Sequence, residues 1–204
     1  MIMFVNKIIS SIIQIILFAI IPFVWWLITD RKKSHFFEWI GLKRIRVEKE
    51  GKILFWLIGT SLACISSTVL ILWLVRNVET ATSEFAGLGI TAVPAIVVYA
   101  VFNTSFPEEL LFRGFLLKRL SAKFGFTVGN FVQALLFGII HGLMFFSVIG
   151  IIKAIAVILF TGGIAWVIGY INERKADGAI LPGWIIHAAA NLFSGICSAF
   201  LLIV

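Results

Sequence analysis

The sequence predicts an all-α fold, a polytopic transmembrane helical bundle of about six spans. Three observations carry this expectation. Hydrophobic residues make up 61% of the 204-residue chain and charged residues only 13%, with a mean hydropathy of +1.08; an ordinary soluble domain is ~45–50% apolar and ~25% charged. Six uncharged runs, Ile8–Thr29, Ile53–Val75, Phe85–Pro107, Phe124–Ile152, Ala154–Ile171 and Gly178–Val204, are each long enough to cross or nearly cross a bilayer, which takes ~20 mostly apolar residues. Basic residues gather between particular runs, as the orientation rule for membrane helices requires.

The first run is too long for the apolar part of a signal peptide. It has no clear small-residue cleavage site, and its basic cluster follows it. That cluster, Arg31, Lys32, Lys33, Lys43, Arg44, Arg46, Lys49 and Lys52, places the 31–52 loop in the cytoplasm by the positive-inside rule. Threading six spans from there leaves both termini outside. Lys118, Arg119, Lys123, Arg174 and Lys175 then fall inside, and only Lys7, Arg76 and Lys153 fall near the outer face. Trp25, Trp26, Trp56 and Trp73 sit at span ends, the aromatic-belt positions.

No repeat or linker divides the chain, so one membrane domain, 1–204, is expected. Within it, 1–88 holds two generic spans and the basic loop, and 89–204 holds a catalytic core. The net charge of +7 belongs with an anionic leaflet rather than with nucleic acid. Cys64 and Cys197 lie far apart in apolar runs and read as buried, inert thiols.

Against this background the acids at 108 and 109, in Asn103-Thr-Ser-Phe-Pro-Glu-Glu-Leu-Leu-Phe-Arg113, do not belong. Lys118 to Lys123 marks the inner surface, and at ~1.5 Å of helical rise per residue Glu108 lies roughly 15 Å deeper. An ionisable group at such a depth marks a functional site by default. Glu109 and Arg113 are four apart with the acid first, so they share a face and pair. Glu108 points about 100° away and is left for chemistry. Ser105-Phe-Pro-Glu108 also fits a capping box, which would start a helix at mid-membrane.

His141 and His187 interrupt the fourth and sixth runs. Each alone would serve as an interhelical hydrogen bonder; together with Glu108 they read as a site. Ala134, Gly138 and Gly142 run beside His141, and Gly183, His187, Asn191 and Gly195 share a stripe of the last span, small residues that let backbones approach closely. Peptide hydrolysis needs an activated water and donors for the tetrahedral oxyanion. Glu108 can take the proton, His141 can hold the water, and His187 and Asn191 can aim two donors at one oxygen. No H-E-x-x-H and no Ser-His-Asp set occurs. A zinc ion on Glu108, His141 and His187 is the alternative, although Arg113 would then occupy Glu109, the remaining base. The residues favour glutamate-activated water slightly over zinc.

Glu108-Glu109-x-x-x-Arg113, Phe137-x-x-x-His141 and His187-x-x-x-Asn191, in this order, resemble the three motifs of the CPBP family (CAAX proteases and bacteriocin-processing enzymes, also called Abi or type II CAAX prenyl proteases). The resemblance covers about residues 103–195. It implies an all-helical intramembrane endopeptidase acting on a membrane-associated peptide or protein. The first glutamate would be the base, the two histidines and the asparagine would surround the water and the oxyanion, the glutamate–arginine pair would support them, and Phe137 would pack. The family is commonly called metalloprotease. Eukaryotic relatives trim prenylated CAAX proteins, and bacterial relatives are linked to bacteriocin self-immunity. The expected location is the plasma membrane of a prokaryote. A non-catalytic scaffold or immunity protein of the same fold is the competing function. A transporter would show internal repeats and a polar track through several spans, and neither is visible.

Overall fold

The computed structural model describes residues 2–45 and 50–203; Arg46 and Lys49 of the basic loop lie outside the described residues. Among the described residues six main helices follow in order, with one short 3-10 turn at Ser83–Phe85 between the third and fourth: α1 Ile2–Thr29, α2 Phe36–Ile40, α3 Glu50–Leu74, α4 Gly89–Phe124, α5 Phe126–Lys175 and α6 Leu181–Ala199. The described residues contain no strand. Four of the helices, α1, α3, α4 and α5, are long and apolar enough to cross a membrane.

The 50-residue α5 makes two passes. Gly150 has φ 76° and ψ 170° and breaks the helix, so 126–149 (α5a) turns back on 151–175 (α5b). With α6 this gives the six spans expected from composition. The break falls at Gly150 and not at Lys153, where the charge pattern put it, because the turn needs a left-handed φ that glycine adopts without penalty. The small-residue stripe closes this hairpin. A Cβ on Gly138 would lie 2.5 Å from the Ile158 carbonyl, and one on Gly142 would lie 2.9 Å from that of Ala154. Deeper in the hairpin, Gln133 and Asn130 donate to the carbonyls of Ala165 and Trp166.

The third span departs from expectation. Pro107 and the apparent capping box suggested a helix start at Ser105. Instead α4 runs through: Ser105 is helical (φ −62°, ψ −46°) and caps nothing. The chain winds as π-helix over Tyr99–Ser105 and again over Leu110–Leu117. The wider turn accommodates a proline that lacks an N–H and would clash in a regular α-helix. The Val101 carbonyl accepts the Phe106 N–H five residues on and also the Trp184 indole N–H of α6 at 2.8 Å.

The helices meet in two polar clasps at one end of the bundle. Asp30 receives Lys33, Thr29 and Trp39 and pairs with Arg119 at 3.4 Å; hydrogen bonds from Lys33, Thr29 and Trp39 hold its carboxyl down to about 2. Lys118 of α4 donates to Glu173 and to the Gly178 carbonyl, and Lys43 pairs with Asp177. α6 lies against α3, α4 and α5, while α1 packs on α4. The outward surfaces of α1, α3 and α5 are rows of exposed Ile, Leu, Val and Phe, as lipid-facing helices require.

Candidate active site

Three helices bring the expected residues together. α4 contributes Glu108, Glu109 and Arg113, α5a contributes Phe137 and His141, and α6 contributes His187 and Asn191. Glu109 and Arg113 are fully buried and pair at 2.9 Å between Oε1 and Nη1. The pairing is by charge, since no guanidinium N–H meets an acceptor in hydrogen-bonding alignment. The guanidinium also lies 4.5 Å from the centre of the Phe137 ring. Removing two charges from a polar medium is costly, and mutual attraction with stacking offsets part of that cost.

His187 stands between the two glutamates. Its Nδ1 lies 3.2 Å from Glu109 Oε1, and its Nε2 lies 3.7 Å from Glu108 Oε2. An ionised carboxylate paired with Arg113 only accepts hydrogen bonds. Nδ1 therefore carries the proton, and in the neutral ring Nε2 keeps a lone pair facing Glu108. Glu108 Oε2 is buried and has no hydrogen-bond partner. At 3.7 Å the two atoms are too far apart for a direct hydrogen bond, and a donor set beside them could reach both.

His141 is fixed by the same logic. Its Nδ1 lies 2.8 Å from the Phe137 carbonyl of its own helix; a carbonyl cannot donate, so Nδ1 holds the proton and Nε2 is the acceptor. Its ring lies 4.3 Å from that of Phe137, which in turn meets His187 edge-on at 5.8 Å and Phe112 at 5.0 Å. Phe137, expected to pack, is the common floor under Arg113 and both histidines. No hydrogen bond or ion pair links His141 to Glu108 among the described residues.

Asn191 is differently engaged than its spacing suggested. Its Nδ2 donates to Thr104 Oγ1 at 2.8 Å and to Ser105 Oγ at 3.0 Å. Thr104 gives its own proton to the Tyr99 carbonyl, which fixes the direction of the amide. Both N–H groups therefore bind α6 to the π-wound part of α4, and neither is free for an oxyanion in this geometry. Ser105, read as a helix cap, is instead one half of this clamp.

Glu108 Oε2 and His187 Nε2 are two donors suitably close for a metal. A catalytic zinc takes three protein ligands, and among the described residues no group of three His, Cys, Asp or Glu side chains is arranged to hold a metal ion. The Glu108, His141 and His187 set does not fit zinc in this arrangement.

Two further residues complete the surroundings. Gly183 of α6 approaches Glu109 so closely that only a hydrogen fits at its Cα, and its N–H donates to Asn172 Oδ1 of α5b at 2.9 Å. Asn172 is fully buried. It lies one residue past the uncharged run Ala154–Ile171, beside Glu173, Arg174 and Lys175. The signal that could have found it is its helical spacing from Ala165 and Ile168, which are also buried.

A sequence model of the family described as type II CAAX prenyl endopeptidase Rce1-like matches residues 90–193, a stretch that contains every residue of this site. No curated protein matches the chain, and no solved structure matches it.

Proposed function

The chain belongs to the Rce1-like family of type II CAAX prenyl endopeptidases, and from that premise we propose that it is an intramembrane endopeptidase whose base is Glu108. The observation that supports this most is the placing of His187 between two glutamates, one anchoring its ring and the other facing its free nitrogen.

In this reading a water donates its two protons to Glu108 Oε2 and His187 Nε2, and His141, stacked on the same Phe137 ring that meets His187, lines the site. The water loses a proton to Glu108 as its oxygen bonds to the scissile carbonyl carbon, and the carbonyl π pair moves onto its own oxygen. Collapse of that tetrahedral species breaks the C–N bond, and the proton on Glu108 passes to the departing amine. Glu109 does no proton transfer. Held by Arg113, it keeps the His187 ring in one tautomer, as a carboxylate behind a catalytic histidine does. Asn191 reaches the oxyanion by exchanging Thr104 or Ser105 for it when substrate enters. The substrate is a membrane-associated peptide, and the family's description makes a prenylated C-terminal peptide the first to try. Both termini lie outside and the 31–52 loop faces the cytoplasm.

The test is cleavage by the purified protein in proteoliposomes, followed by mass spectrometry. Peptides ending in Cys-aliphatic-aliphatic-X are offered with and without a prenyl group, alongside unrelated membrane peptides. Cleavage by the wild type and none by Glu108→Gln is expected. Equal cleavage by both would remove Glu108 as the base; cleavage by neither would favour a non-catalytic scaffold.

A further inference from the structure

The fully buried Glu109 uses only half of its carboxylate in the contacts described so far. Oε1 serves both Arg113 and His187, while Oε2 is buried with no hydrogen-bond partner. On α5b, the fully buried Asn172 shows the converse. Its Oδ1 accepts the Gly183 N–H, which fixes the orientation of the amide because a backbone N–H only donates. Its Nδ2 is then left buried with no acceptor. These two orphaned groups, one donor and one acceptor, crowd one point: each is 2.7 Å from where a Cβ on Gly183 would stand. The third atom crowding that point is a methyl of Ile168, which offers no polar alternative.

We infer that Asn172 is a positioning residue of the site, whose Nδ2 holds Glu109 Oε2 and thereby sets the carboxylate plane that orients His187. A small side-chain rotation, or one bridging water, closes the contact. The same amide caps the start of α6: Gly183 is in the first turn, where backbone N–H groups have no intrahelical acceptor. Asn172 thus couples two settings with one group, the height of the His187 helix through Oδ1 and the pose of Glu109 through Nδ2. Gly183 is the residue that leaves room for it.

The inference rests on the proposed hydrolytic reading only for its effect on rate, so the test has two arms. Asn172→Asp keeps an acceptor for Gly183 but loses the donor to Glu109; Asn172→Leu loses both. Protein labelled with 15N-histidine is examined in detergent, with His187 assigned through His187→Gln, and the ring-nitrogen shifts report the tautomer. The wild type is expected to show His187 protonated at Nδ1. Asn172→Asp sets a second carboxylate against the buried Glu109, so it is expected to melt earlier than wild type and to show a mixture of His187 tautomers. Its kcat should fall roughly 10–100-fold with little change in KM, the usual scale for losing an outer partner of a catalytic ligand. If Asn172→Asp kept the wild-type tautomer and kcat while Asn172→Leu merely melted earlier, Asn172 would be a helix cap alone and the inference would fall. If the wild type cleaved no peptide, the hydrolytic reading would fail, and the tautomer arm alone would still decide the role of Asn172.

Discussion

Gly183 stands so close to Glu109 that a methyl group on its Cα would lie 2.7 Å from Oε2. The same methyl would meet Asn172 Nδ2 at 2.7 Å and Ile168 Cγ2 at 2.6 Å. All three neighbours lie in the buried centre, where the fit of α6 against α4 and α5b places His187. Gly183→Ala is therefore expected to push α6 outward, at about 1–3 kcal/mol for overpacking. The check is a thermal melt alongside the peptide assay, with both melting temperature and turnover reduced.

Glu108 and Arg113 should respond in opposite ways. Glu108→Gln removes a base but no structural pair, so cleavage disappears while the melting temperature stays. Arg113→Ala strands the buried Glu109 charge, which costs roughly 3–5 kcal/mol; expression and melting should both suffer. Retained turnover in Glu108→Gln would sink the assignment of the base.

Asn191→Leu breaks two hydrogen bonds between α6 and the π-wound part of α4. It should destabilise by about 1–3 kcal/mol through the unpaired hydroxyls, as read by chemical or thermal denaturation in detergent. Asn191→Asp keeps the shape but cannot donate to Thr104, whose proton goes to the Tyr99 carbonyl, so it should melt earlier than wild type as well as lose turnover. A stable and fully active Asn191→Asp would remove the amide from the oxyanion role.

Chelation separates the two chemistries weighed from the sequence. Incubation with 1,10-phenanthroline or EDTA, followed by the peptide assay, is expected to leave turnover unchanged, because Glu108, His141 and His187 are not arranged as a three-ligand set. Loss of activity on chelation with recovery on added zinc would reverse that expectation.

Orientation is checked with single cysteines in a Cys64→Ala, Cys197→Ala background. A cysteine at Ser34 should resist an impermeant reagent in intact cells, and one at Gly87 should react. Labelling at Ser34 would invert the proposed topology.

The spans and the i, i+4 pairing of Glu109 with Arg113 were legible because each depends on spacing along one helix. What was hidden depends on another helix. Asn191 has the spacing of an oxyanion donor beside His187, yet Thr104 and Ser105 across the interface hold its amide. Ser105-Phe-Pro-Glu108 has the residues of a capping box, but a cap forms only where a helix begins, and Trp184 of α6 packing onto Phe106 and the Val101 carbonyl favours continuation. Asn172 was invisible for the same reason: its partners, Gly183 and Glu109, are 11 and 63 positions away in the chain.

The π winding of Tyr99–Ser105 acts as a phase setting for everything after it. An extra residue taken up in a helical turn rotates the following stretch by about 100° relative to an uninterrupted α-helix. Glu108 and Glu109 face His187 only in that phase. Relaxing that segment to ordinary pitch at unchanged length would turn both carboxylates toward a neighbouring face of the bundle, with no charged or histidine side chain removed. A one-residue deletion between Tyr99 and Ser105 would absorb the same relaxation and keep them facing His187, so the site depends on the winding of this stretch as much as on the identity of the polar residues.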